Sequence, residues 1–247
     1  MPPSPPDIFH MGARRAKRLR ARDLFADHDF IHERAAEDVV DRLEAVLKRF
    51  DRALFHGPAA ELVRRTLTEK ADVGEITTAD DVPGADVEAT PDTLPGGDNS
   101  YDLVVSAMAL HATNDLVSAL KEARRVLKPD GLFIAVLPGE RTLHELRSAL
   151  QQGESAVTGR VAPRIAPMMA VKDGGALLQA AGFALPVSDV ARLTVEYTDP
   201  AKLFRDLRGT GETSSLVAGP RGAMRRDVLQ ASIAAYLERF PAKGGGV

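Results

Sequence analysis

The sequence predicts an α/β protein built on a parallel sheet, and three observations predict it. Residues 103–107 form a near-unbroken apolar run, and so do 132–137. Strands buried on both faces look like this, as they are in parallel sheets. Between them Leu116, Ala119, Leu120, Ala123, Val126 and Leu127 recur at three- and four-residue spacing, which marks an amphipathic helix. Lys128-Pro129-Asp130-Gly131 reads as a Pro-led turn that stops this helix. Strand, crossover helix and strand make a βαβ unit, almost always right-handed.

Composition agrees. The 247 residues, 44% of them hydrophobic, suffice for one core, or one core with a small appendage. A formal net charge of −3 and a pI near 6.1 give no reason to expect nucleic acid as a partner. The absence of cysteine excludes a disulfide framework, a thiolate metal site and a cysteine nucleophile. No apolar run approaches the roughly 20 residues of a membrane-spanning helix. The N-terminus lacks the apolar core of a secretory signal. Three parts are expected: a basic arm over 1–29, an α/β domain over 30–199, and a helical C-terminal segment over 200–247.

In chain order, residues 1–6 are proline-rich and read as loose. Arg14, Arg15, Lys17, Arg18, Arg20 and Arg22 then form a basic cluster. A solvated helical face accounts for it, and a docking arm, an anionic-membrane contact or an organelle-import leader are the sharper readings. Residues 30–50 carry one helical stripe through Ile31, Ala35, Val39, Leu43, Val46, Leu47 and Phe50. Residues 52–56 are the first strand, followed by a turn at Gly57 and a helix opened by Pro58. Residues 72–78 are the second strand, ending near Asp80, where a carboxylate in a doubly wound sheet reaches a ribose diol. A solvated loop explains Asp80 as well.

Pro83, Gly84, Pro91, Pro95, Gly96 and Gly97 break up 82–97, leaving a third strand at 86–89 and scarcely room for a helix before it. Asp92 and Thr93 there suit either a base-side carboxylate or a plain turn. After the central unit, helices are expected over 140–152, 173–181, 202–207 and 225–240, a loop over 162–167, and a strand over 187–198. Gly209-Thr210-Gly211 half-matches a dinucleotide loop but follows a helix, which removes that reading. His28 and His32, four apart, read as surface histidines, because two ligands without a third make no metal site. His111 lies just beyond the strand over 101–107, where ligands bind in this fold class.

Together, Ser100 to Ser106, Leu110-His111, Asn114-Asp115-Leu116 and Leu127 to Gly131 resemble the second half of a class I S-adenosylmethionine-dependent methyltransferase. Pro163-Arg164-Ile165-Ala166-Pro167, the stretch Leu177 to Phe183, and Asp206 to Thr213 narrow the likeness. With Asp7-Ile8-Phe9 and the basic arm, they resemble the methyltransferase-like family of respiratory complex I assembly factors, which includes an arginine hydroxylase. A near relative in overall look is the malonyl-carrier-protein methyltransferase of biotin synthesis.

The resemblance implies a Rossmann-like doubly wound sheet with N-terminal helices and a C-terminal helical cap; the sequence supplies no final antiparallel strand. It implies S-adenosylmethionine as cofactor, beside Phe55, Gly57, Asp80, Asp92, Thr93, Ser106, Ala107 and His111. Arg164, Arg208, Gly209, Gly211 and Glu212 fall on the implied substrate side; no metal site and no catalytic residue is assigned. The implied partner is an iron–sulfur subunit of complex I, met in the bacterial cytoplasm or on the matrix side of the mitochondrial inner membrane, with peripheral membrane contact as an option. One departure is plain. The family's first strand ends in Asp-x-Gly-x-Gly, whereas this chain reads Phe55-His56-Gly57-Pro58-Ala59. A cofactor-less docking protein and a small-molecule or carrier-protein methyltransferase therefore stand as alternatives.

Overall fold

The computed structural model describes residues 6–242 and 245–247, so the proline-rich start lies, apart from Pro6, outside the described residues. The chain divides into two compact units. The first comprises residues 29–139 and 169–189 and contains the sheet. The second gathers residues up to His28, 140–168 and those from Val190 onward.

Five parallel strands among the described residues stand in the order β3-β2-β1-β4-β5. They are β1 (Phe50–His56), β2 (Val73–Asp80), β3 (Val87–Glu88), β4 (Tyr101–Ala107) and β5 (Leu127–Val136). Leu54, Phe55, Leu103 and Val105 are fully buried, as apolar runs in central parallel strands must be. Helices α2 (Phe30–Glu44), α3 (Ala60–Thr66), α4 (Leu116–Val126) and α6 (Val171–Ala180) belong to this unit. Ala119, Leu120 and Ala123 of α4 are buried with Phe133 and Phe183 packed against them, the two rings stacked at 4.9 Å.

The sheet unit corrects three expectations. Helix α2 ends at Glu44, six residues early, because Phe50 is needed as the buried first residue of β1 and Leu47 is left fully exposed. Helix α3 opens two residues after Pro58, at Ala60. The turn at 128–131 is absorbed into β5 as an irregularity, where pairing jumps from Tyr101↔Leu127 to Leu103↔Leu132. Asp130 takes φ +61° there, and Lys128 Nζ to Asp102 (3.0 Å) and Lys48 Nζ to Asp130 (3.3 Å) hold the bulge. No helix intervenes between β2 and β3, as expected.

The second unit holds α1 (Met11–Ala21), α5 (His144–Thr158), α7 (Pro200–Gly209) and α8 (Arg226–Arg239). Leu146, Ala149, Leu150, Leu203 and Tyr236 form its core. Gly153 lets α8 approach α5, since a Cβ there would lie 2.3 Å from Ser232 N. The strand expected at 187–198 does not form. Leu185, Val187, Val190 and Leu193 are 53–93% exposed, and backbone hydrogen bonds tie Tyr197 to Val247. Alternating apolar residues need a neighbouring strand, and none pairs here among the described residues. The histidine reading also changes: His32 is 2% exposed, and His28 is half-buried against Asp206.

Candidate functional site

At the carboxyl ends of the central strands β1 lies between β2 and β4. His56 stands in register with Ala79 on one side and Ser106 on the other. The chain then turns at Gly57, whose φ of +108° and close approach both require glycine: a Cβ would lie 2.4 Å from Ala107 O. Gly57 N–H donates to Ala79 O (2.8 Å), Ala59 N–H to Ala107 O (3.4 Å) and Ala60 N–H to Gly57 O (2.9 Å). Pro58 has no N–H to give.

On the α4 side of the strand ends, His56, Ser106, Leu110, Pro91, Leu94 and Phe133 line a cleft of about 220 Å³ of atom-free space, part of it open to solvent. The lining is apolar except at His56 and Ser106, and Ser106 Oγ is buried with no hydrogen-bond partner among the described residues. Sequence reasoning singled out Ser106, took His56 only as a departure from the family's glycine motif, and missed the apolar wall. The signal for His56 was its place at the end of a central strand.

The other cofactor-side positions fall as follows. Phe55 is fully buried, and Ala107 is fully buried with its carbonyl taken by Ala59. Asp80 closes β2 at 9% exposure, and its Oδ1 accepts Asp81 N–H at 2.9 Å. Thr93 shares a 2.8 Å hydroxyl–hydroxyl hydrogen bond with Thr90. Partial burial pushes the Asp92 carboxyl above its ordinary value, and Asp115 and Glu122 add to the shift. His111 lies in a short 3-10 turn, Leu110–Ala112.

The substrate-side positions lie in the other unit and have structural partners. Arg164 grips Glu154 with two nitrogens, at 2.6 and 3.2 Å, with both side chains at most 15% exposed. Gly209 and Gly211 are sockets for the N-terminal arm. A Cβ at Gly209 would lie 2.0 Å from His28 Cδ2, and one at Gly211 2.8 Å from Arg18 Cα. Glu212 pairs with Arg14 at 3.3 Å, and His28 Nδ1 meets Asp206 Oδ1 at 2.7 Å. Burial, together with a hydrogen bond to Asp206, raises the Tyr197 hydroxyl above its ordinary range. Arg208 is exposed in the last turn of α7. Farther on, the chain pairs Phe9 with Leu216, so the 206–217 segment clasps residues 8–28. No group of three or more metal-binding side chains occurs among the described residues.

Comparison with known proteins places this architecture. A methyltransferase domain model matches residues 60–135. The solved structure of the YcgJ protein from Bacillus covers 85% of this chain and 86% of its own, with a TM-score of 0.51 at 17% identity, a likeness of fold. The malonyl-[acyl-carrier protein] O-methyltransferase of Halorhodospira halophila is 30% identical over 83% of this chain and 73% of its own length. The mitochondrial arginine-hydroxylase NDUFAF5 of Danio rerio is 33% identical over 254 residues, covering 98% of this chain and 79% of its own. With that likeness running from the N-terminal arm through the sheet to the C-terminal helices, the chain belongs to the methyltransferase-fold family of the NDUFAF5 arginine hydroxylases.

Proposed function

We propose that this protein serves the assembly of respiratory complex I, acting at an arginine of one of its iron–sulfur subunits. The observation that carries this reading is the extent of the likeness to the arginine hydroxylases, 98% of the chain against 83% for the carrier-protein methyltransferase. The clasp supports it. Two of the sequence segments that set this branch apart, the N-terminal arm and the 206–213 stretch, pack on each other through Gly209, Gly211 and Glu212. Fold alone fixes no substrate, so these flanking segments are the better guide.

The methyltransferase fold implies S-adenosylmethionine as cofactor, at the carboxyl ends of β1, β2 and β4. No helix among the described residues is long and apolar enough to cross a membrane. Work on a membrane-bound complex would then rely on peripheral contact, for which the exposed Arg15, Arg20 and Arg22 offer charge. The site is the bacterial cytoplasm, or the matrix face of the inner membrane in a mitochondrion.

The test is mass spectrometry of the iron–sulfur subunits of complex I from cells with and without the gene, with re-expression as control. Loss of an added oxygen on one arginine, together with less assembled complex, is the expected result. Unchanged arginines and an unchanged amount of complex I would overturn the proposal.

A further inference from the structure

In this fold a glycine-rich turn after the first strand serves one purpose: its bare backbone comes close to the ligand and donates amide hydrogens to it. Three properties of that turn decide whether S-adenosylmethionine fits this chain, namely free donors, free space and a carboxylate for the ribose.

The donors are spent. Gly57, Ala59 and Ala60 give their amide hydrogens to Ala79, Ala107 and Gly57 itself, and Pro58 has none. Freeing the amides of Gly57 and Ala59 would break the bonds that fasten the turn to the ends of β2 and β4. Helix α3 behind it has seven residues and carries Glu61 in its first turn, a poor host for a carboxylate.

The space is closed as well. Gly57 lies so flat on β4 that no atom fits between them, and His56, Ala59, Ala60, Ala107, Met108 and Leu110 are all at most 6% exposed. The cleft at the end of β1 takes in His56 but no residue of the turn itself, and it is apolar apart from His56 and Ser106. The third property survives in part. Asp80 is at the end of β2, yet it is 9% exposed and already accepts Asp81 N–H.

We propose that the turn after β1 is closed in this chain, so that it keeps the methyltransferase fold without binding S-adenosylmethionine. The inference rests on the reading above only in taking that molecule as the ligand the fold implies. Its part in complex I assembly then involves no transfer of a methyl group from that molecule.

Calorimetric titration of the purified full chain with S-adenosylmethionine, and separately with S-adenosylhomocysteine, tests it. Circular dichroism and cooperative unfolding of the same sample establish that the protein is folded. No saturable heat up to millimolar ligand is expected. Amide exchange read by NMR should find Gly57, Ala59 and Ala60 protected without ligand and unchanged with it. Saturable one-to-one binding tighter than about 100 μM, worth more than about 5.5 kcal/mol by the usual conversion, would overturn the inference. So would amides that exchange freely alone and become protected on adding cofactor. Neither result bears on the complex I proposal, which stands or falls by the mass spectrometry of the subunits.

Discussion

Single residues explain most of what the C-terminal segment does. Two glycines in helices make opposite predictions. Gly209→Ala would drive a methyl group into the His28 ring and should cost about 1–3 kcal/mol, as overpacking does. Gly175→Ala, where a Cβ would meet nothing within 4 Å, should instead stabilise by about 0.5–1 kcal/mol through lower unfolded-chain entropy. Urea unfolding of both variants checks the pair, and equal signs would refute the socket role of Gly209. Arg164→Met should be severe. It strands the Glu154 carboxylate, whose side chain is 10% exposed, at a cost of about 3–5 kcal/mol. Adding Glu154→Gln to that variant should restore much of the loss. Arg164 holds the Glu154 carboxyl below its ordinary value of 4.5. A carboxylate with a lowered folded pKa stabilises above its unfolded pKa and stops doing so as pH falls. The gap between wild type and the double variant should therefore narrow below about pH 4.5 in unfolding measured across pH; a gap constant to pH 3 would refute the pair's contribution.

At the scale of elements, β5 is one of the two edges of the sheet among the described strands. Its stretch Leu132–Val136 is charge-free and only partly covered. An apolar edge with unpaired backbone groups invites another strand. Ala135, exposed on this strand, is the place for a gatekeeper. Ala135→Lys should lower concentration-dependent association in light scattering while shifting stability by no more than about 0.5 kcal/mol. Unchanged association would show that the edge is already covered. The elements also show how far local sequence reaches. β4 and α4 were legible from apolar spacing alone. The end of α2 was not, because Val46, Leu47 and Phe50 continue the helical stripe and only the pairing Phe50↔Val73 assigns Phe50 to a strand. The turn at 128–131 misled for the same reason: Pro and Gly mark a turn locally, and a partner strand made it a bulge.

At the scale of the whole chain, the passage from the sheet unit to the second unit runs through residues 184–198, which form no helix or strand. Exposed segments without regular hydrogen bonding are cut first by proteases. Brief trypsin digestion should cleave at Arg192 among its first sites, as mass spectrometry of the fragments would show. Full resistance at Arg192 would mean that the segment is paired in solution. The sequence by itself determined the α/β class, the carboxyl ends of the central strands and the loss of glycines after β1. These are properties of neighbouring residues: side-chain period, turn chemistry and the missing N–H of proline. Only the tertiary structure decided that the amides of that turn are consumed by β2 and β4, that Arg164 serves Glu154, and that His28 seats on Gly209 beside Asp206. His28 and Asp206 alone are 178 positions apart, and no periodicity records which distant groups the folded backbone brings within a hydrogen bond of each other.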